Sequence, residues 1–443
     1  MSAAFPARPA QRRSELGLIV LAVILTGALY TLASLGKTGD IPGNIVPFLG
    51  VIFGLLIAAH VAMRFLAPDA DPILLPVAAL LNGVGYVFIA RLNHHDASLQ
   101  AVWTGAGVVA FILTLVVVRQ ARDLERYRYS FALAGIGLLF LPLVPHIGVQ
   151  VNGARLFVHA GPVNFEPVEA AKILLAVFFA SVMVEQAELI RTKTRRVGRF
   201  LVTDPRYLAP VIVAWGLSLL VIVAENDLGS AFLLFALFIG MLWVATQRWR
   251  YLAGGISLFV IGAALALHYI SHAQVRVQGW LNPWPHFNTT GYQSIQGWFA
   301  LAAGGLFGDG PGQGSPQVIP EAATDYIFAT VGEELGLVGA TAVLVGVLIM
   351  VGSGLRVALR AERPFEKLLT TGLALILGVQ TFVIVGGVTR LIPLTGITFP
   401  FVSYGGSSLV ANYVLLALLL RVSDTTNRPH HRSEFPEPST VPG

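Results

Sequence analysis

Apolar residues in this chain run in blocks of about twenty, divided by short polar stretches. Twelve such blocks lie near 16–36, 44–64, 72–91, 99–118, 129–147, 167–186, 207–224, 229–246, 252–271, 324–355, 366–389 and 397–421. An α-helix of about 20 residues spans a hydrocarbon layer of about 30 Å. The pattern therefore predicts an all-α, polytopic membrane protein of about twelve transmembrane helices. The first block has the basic flank of a signal peptide, but it is long and eleven more follow, so it is read as an uncleaved span. The polar ends, 1–15 and 423–443, read as disordered tails. No tandem period divides the chain.

Composition agrees with the pattern. Of the 443 residues, 55% are hydrophobic and 12% charged, about half the charge of a soluble domain. The mean hydropathy is +0.73. Cysteine is absent, which removes disulfides and thiol chemistry. A net charge of +5 could suggest nucleic acid, but the placement of the cations argues otherwise. Of the 29 Lys and Arg, 23 fall in the two tails, counting Arg421 at the end of the last block, and in the loops at Arg64, 119–128, 191–206, 248–250 and 356–367. The remaining six are Lys37, Arg91, Arg155, Lys172, Arg276 and Arg390. By the positive-inside rule both termini are cytoplasmic, and 148–166, 272–323 and 390–396 face outward. The basic runs are topology signals at an anionic leaflet, and no nucleic-acid partner is expected.

The one long stretch outside the apolar blocks runs from His272 to Gly336. Its segment Gly291–Gly314 holds seven glycines between Gly297 and Gly314, and Ile319–Gly336 is a polar run leading into an apolar helix. Such a loop bends sharply or approaches a ligand closely. Ionisable groups near spans are candidates by default. Glu169 and Lys172, three apart on one helical face, suit an ion pair that fixes packing or shapes a cavity. Glu225 and Asp227 interrupt two spans, where a capped turn is the plainer reading. Glu333 and Glu334, two turns inside the tenth span, suit a cap or a pairing with a neighbouring helix. Asp325 admits two readings: an ordinary N-cap, or a base whose pKa is set between the helix N-terminus and a shielded cavity. Arg155, Arg276 and Arg390, with Lys172 near the rim, admit two readings: salt bridges or headgroup contacts, or a hold on an anionic lipid diphosphate.

Four ordered blocks carry a resemblance. Ile319-Pro-Glu-Ala-Ala-Thr-Asp325-Tyr-Ile-Phe-Ala, followed by Glu333-Glu-Leu-Gly336, resembles the LPExxTDFIFAxxxEELG signature of the SEDS family, the RodA and FtsW proteins that build bacterial cell wall. Asn152-Gly-Ala-Arg155 and Phe165-Glu-Pro-Val-Glu169-Ala-Ala-Lys172 look like its GxxRW and FQPSExxK elements. Glu225-Asn-Asp227-Leu-Gly-Ser is similar to QPDLGT, and Leu394-Thr-Gly396 through Phe399-Pro-Phe-Val-Ser403-Tyr-Gly-Gly-Ser-Ser408 to TGxxLPFxSYGGSS. Glu166 and Val168 depart from the second element, Glu225 and Asn226 from the third. The likeness covers roughly 72–422, so 16–71 reads as a hairpin of two spans added before a ten-span core.

The resemblance implies a peptidoglycan glycosyltransferase that polymerises lipid II into β-1,4 strands at the outer face of the bacterial cytoplasmic membrane. It further implies inversion at the anomeric carbon with Asp325 as the general base. The substrate-binding residues expected from it are Arg155, Glu169, Lys172, Asp227, Arg276, Gln296, Glu321, Thr324, Arg390, Ser403 and Ser407. It implies no organic cofactor, help from a divalent cation (magnesium or manganese) without named ligands, and a class B penicillin-binding protein as partner. The short tail and block order lean to a RodA-like role in elongation over an FtsW-like role in division. A lipid II flippase or other transporter is the main alternative, and a non-catalytic scaffold the second. A transporter favours midplane charges and inverted repeats, whereas the polar motifs here gather at the outer ends of spans.

Overall fold

The computed structural model describes residues 8–428, apart from 152–153, 161–162, 193, 198–199 and 204. Every one of the twelve predicted blocks holds a helix. The first four are α1 (Arg8–Thr38), α2 (Ile45–Leu66), α3 (Leu74–Leu92) and α4 (His94–Val117). Next come α5 (Arg128–Phe140), α6 (Pro167–Thr192), α7 (Pro205–Ala224), α8 (Leu228–Thr246) and α9 (Trp249–Tyr269). Two helices, α10 (Ser271–Leu281) and α11 (Tyr292–Gly304), fall where a loop is expected. The last three are α12 (Ile327–Arg360), α13 (Pro364–Val388) and α14 (Gly406–Asn427). Among the described helices, ten are long and apolar enough to cross a membrane. The protein is an all-α, multi-pass membrane protein.

The departures from the predicted pattern have local causes. The fifth block stops at Phe140, so α5 is only 13 residues long, about 20 Å at 1.5 Å per residue. A 3-10 turn over Leu141–Leu143 follows, and its Pro142 has no N–H to extend a helix. Beyond it three short antiparallel strands, β1 (Gly148–Val151), β2 (Ala154–Ala160) and β3 (Val163–Phe165), pair in chain order. A hairpin of β4 (Thr194–Val197) and β5 (Phe200–Thr203) joins α6 to α7. The last block opens nine residues late, because 397–405 is irregular and α14 starts at Gly406. Inside α12, Gly336 takes φ +67° and breaks the helix into two rods.

The helices pack in pairs, α14 on α4, α12 on α13, α5 on α6 and α1 on α3. Phe88, Phe111, Phe178, Phe179, Phe399 and Tyr413 fill the interior. By contrast α9 turns almost its whole surface outward. The start of α1 lies within the stretch expected as a tail, and it is anchored. Buried Glu15 pairs with Arg12 and lies 2.8 Å from His60 Nδ1, while Arg12 donates to the Ala67 and Ala70 carbonyls at 2.8 and 3.0 Å.

Candidate active site

Polar side chains meet where helices begin, at the N-terminal ends of α6, α8, α12 and α14. Pro167 opens α6, where its fixed φ suits the first turn. One turn on, Glu169 and Lys172 are both buried and pair at 2.5 Å, as their spacing predicts. Asp227 caps α8 by accepting the Ser230 N–H at 3.0 Å. Asp325 behaves differently. The N-cap position of α12 is Tyr326, with no side-chain cap bond, so Asp325 precedes the helix without capping it.

The irregular stretch before α14 stitches these mouths together. Ser403 Oγ donates to the Thr324 carbonyl at 2.6 Å and accepts the Phe399 N–H at 2.9 Å. The Tyr404 N–H donates to the Ala323 carbonyl at 2.8 Å, and Ser407 Oγ accepts the Glu166 N–H at 2.9 Å. Arg276 reaches in from α10, its Nη1 donating to the Thr395 carbonyl at 2.7 Å. The cluster so formed brings Glu166, Glu169, Asp227 and Asp325 within electrostatic reach of one another, with Lys172 and Arg276 as counter-charges.

Taking carboxylates out of water favours their neutral form. Burial pushes Asp325 up to about 7, helped by Glu321 and opposed by Arg276 and the Thr324 hydroxyl. Burial raises Glu225 to about 8, with Asp227 adding to it. Asp227 is also raised by burial, against the Ser230 bonds and Arg276. Glu166 is held well above the ordinary range by burial, then by Glu169 and Asp227. Asp325, half-buried, is thus poised to exchange a proton near neutral pH.

The other predicted residues are dispersed around this centre. Glu321 is exposed at φ +55° and accepts the Thr324 hydroxyl at 3.1 Å. Arg155 lies on β2, its N–H donating to the Glu225 carbonyl at 3.2 Å and its side chain exposed. Gln296 is half-buried on α11. Arg390 is engaged elsewhere: Nε and Nη2 donate to the Trp280 and Leu281 carbonyls at 3.1 and 2.8 Å, and the guanidinium lies 5.0 Å from the Trp298 ring centre. Arg276, not Arg390, is therefore the guanidinium brought to Asp325. Sequence reasoning passed over Glu166 as a site group, although an acid three residues before Glu169 in an apolar setting was a signal. It also left Arg91 unassigned. Two adjacent carboxylates inside an apolar helix call for a buried cation, and Arg91 meets Glu334 at 3.2 Å. Among the described residues no three His, Asp or Glu side chains gather as a metal-binding set.

Fold and cleft define a multi-pass helical membrane protein whose polar centre, an aspartate poised near neutrality beside an arginine, sits at the mouths of its spans. The family model described as cell cycle protein, FtsW/RodA/SpoVE, matches residues 74–428. The chain belongs to this family. It is 41% identical over 435 residues to the peptidoglycan glycosyltransferase RodA of Mycobacterium tuberculosis, covering 96% of this chain and 93% of that one. It is 33% identical over 366 residues to the probable peptidoglycan glycosyltransferase FtsW of Geobacter metallireducens, covering 80% and 94%. A chain from a peptidoglycan synthase complex, solved to show the structural coordination of polymerization and crosslinking, superposes with a TM-score of 0.66 at 25% identity. That match covers 81% of this chain and 99% of the other.

Proposed function

We propose that the protein is a peptidoglycan glycosyltransferase that polymerises lipid II into β-1,4 glycan strands at the outer face of the cytoplasmic membrane. The observation that carries the reading is the placement of Asp325 just ahead of α12, sharing the open space at Gly396 with the Arg276 guanidinium. Asp325 takes the proton of the acceptor 4-hydroxyl as that oxygen attacks the anomeric carbon of the donor. The bond to the lipid diphosphate breaks in the same step, so an α-linked donor gives a β product with no covalent enzyme intermediate. Arg276 stabilises charge growing on the departing diphosphate, and Arg155 at the rim is placed to hold the donor. The Glu169–Lys172 pair, Asp227, Ser403 and Ser407 keep the helix mouths in register; Gln296, Glu321 and Thr324 line the acceptor side.

The outer-face placement is supported by the 23 of 29 cations that fall in the tails and alternate loops. An elongation role is supported by 41% identity to a RodA against 33% to an FtsW, and by the greater share of the chain covered. A class B penicillin-binding protein as partner is supported by the likeness to a synthase that couples polymerization with crosslinking. The deciding experiment incubates the purified protein with lipid II, alone and with that partner, and resolves glycan polymer on a gel. Polymer that lengthens with time is expected, faster with the partner. Passage of lipid II across a vesicle membrane with no polymer formed would instead establish the transporter reading.

A further inference from the structure

The glycine-rich loop is not free-standing: both α12 and α1 hold it. From α12, Glu334 Oε2 accepts the Gly312 N–H at 2.7 Å and Glu333 Oε1 accepts the Ser315 N–H at 2.8 Å. The carbonyls of Glu333 and Glu334 accept the Asp309 and Gly310 N–H groups at 2.9 and 3.1 Å. Past the break at Gly336, the Leu337 and Val338 N–H groups donate to Gly305 and Leu306 at 3.0 and 3.1 Å. The loop and the first rod of α12 therefore form one closed unit, with Asp325 at its open end.

The second hold comes from outside the stretch that the family model matches. Near the end of α1 the two backbones touch without intervening side chains. A β-carbon on Gly36 would stand 2.1 Å from the Pro311 carbonyl oxygen, and one on Gly312 2.0 Å from that of Ala33. Gly312 also has φ +82°, a conformation that side chains rarely adopt. Beside this contact, Lys37 Nζ donates to the Arg91 carbonyl at 2.7 Å, and Arg91 Nη2 donates to the Gly314 carbonyl at 2.9 Å. Arg91 also faces Glu334, the residue that anchors Gly312. At the far end, the Arg12–Glu15–His60 cluster fixes α1 to α2 and to the turn before α3.

We infer that α1 is a strut of the active site: through Gly36 and Lys37 it sets the position of the Gly308–Gly314 loop and thereby of Asp325. Gly36 and Lys37 are positioning residues, acting through the loop and Arg91. The inference rests on the glycosyltransferase reading for its kinetic arm only. The 96% coverage by the M. tuberculosis relative omits fewer residues than α1 and α2 contain, so that RodA aligns with part of the strut segment.

The test uses the full-length protein in lipid nanodiscs and compares Gly36→Ala with Gly17→Ala. A β-carbon at Gly17, on the same helix, meets nothing within 4 Å. For Gly36→Ala, kcat should fall about 100-fold with KM nearly unchanged, because a shift of about 1 Å misplaces the base without removing binding groups. Hydrogen exchange at the 310–314 amides should quicken about tenfold, a local opening. Gly17→Ala should match the wild type in both. Should Gly36→Ala fail to fold, Lys37→Met decides by the same readouts, with smaller shifts in the same direction. Wild-type kcat together with wild-type exchange at 310–314 would overturn the strut. A wild-type protein that makes no polymer sinks only the activity reading, since exchange still reports on the loop.

Discussion

Asp325 and Arg276 face the same backbone point, Gly396. A β-carbon built there would lie 3.6 Å from Asp325 Oδ2 and 3.8 Å from Arg276 Nη2. The space between the Asp325 carboxylate and the guanidinium is thus kept open by a residue with no side chain. Gly396 also has φ +77°, where an L-residue costs about 1–2 kcal/mol. Gly396→Ala is expected to lower polymerisation about tenfold or more, by straining the loop and by putting a methyl between the two groups. Steady-state rates at saturating lipid II check this; an undiminished rate would show that the opening is not used.

Asp325→Asn should leave the fold and lipid II binding intact, because Asp325 does not cap α12. The amide cannot take the hydroxyl proton, and loss of a general base lowers rate about 10²–10⁴-fold. A gel assay would then show no visible polymer, while a lipid II binding assay stays near wild type. Near-normal polymer from well-folded Asp325→Asn would turn attention to Glu321 or Asp227.

The rate should follow pH with an acid limb near 7, the value to which burial pushes Asp325. The base form is the active one, so kcat/KM falls about tenfold per unit below that point and is flat above it. Arg276 lowers the Asp325 pKa and Glu321 raises it. Arg276→Gln should therefore move the limb to higher pH, and Glu321→Gln to lower pH. A limb at the ordinary carboxylate value, unmoved by either change, would contradict the assignment.

Lys172→Ala leaves Glu169 without its buried partner, a loss of about 3–5 kcal/mol for a truly buried pair. Folded yield should drop in this variant and recover in the double variant with Glu169→Ala. Thermal unfolding in detergent measures it; equal stability of single and double variants would show that the pair is not coupled.

Periodicity alone placed a helix in all twelve blocks, because a hydrocarbon solvent demands long apolar helices and leaves few alternatives. It could not show that α5 ends at Phe140 or that α10 and α11 interrupt 272–323. Prolines, amphipathic surface and local hydrogen bonding decide those, and hydropathy is blind to them. In the cleft, the Glu169–Lys172 pair was readable from spacing, since both lie on one helix. The partners of Asp325 were not. Arg276 precedes it by about fifty residues, and Ser403, which bonds the neighbouring Thr324 carbonyl, follows by about eighty; only tertiary packing brings such groups together. For Arg390, charge and position suggested a ligand for diphosphate. Its Nε and Nη2 donate to the Trp280 and Leu281 carbonyls, contacts that no sequence pattern marks.

The closed unit around Gly336 bears on how the chain is assembled. Its hydrogen bonds join residues only 18 to 32 apart, from Glu333 with Ser315 to Leu337 with Gly305. The facing wall depends on much longer closures, 79 residues from Ser403 to Thr324 and 241 from Ser407 to Glu166. Loop-closure entropy rises with separation, and synthesis delivers α14 last. During insertion the half that carries Asp325 can therefore form while the opposite wall is still missing. A chain truncated before Gly406 would thus hold Asp325 in place with no α14 to complete the opposite wall.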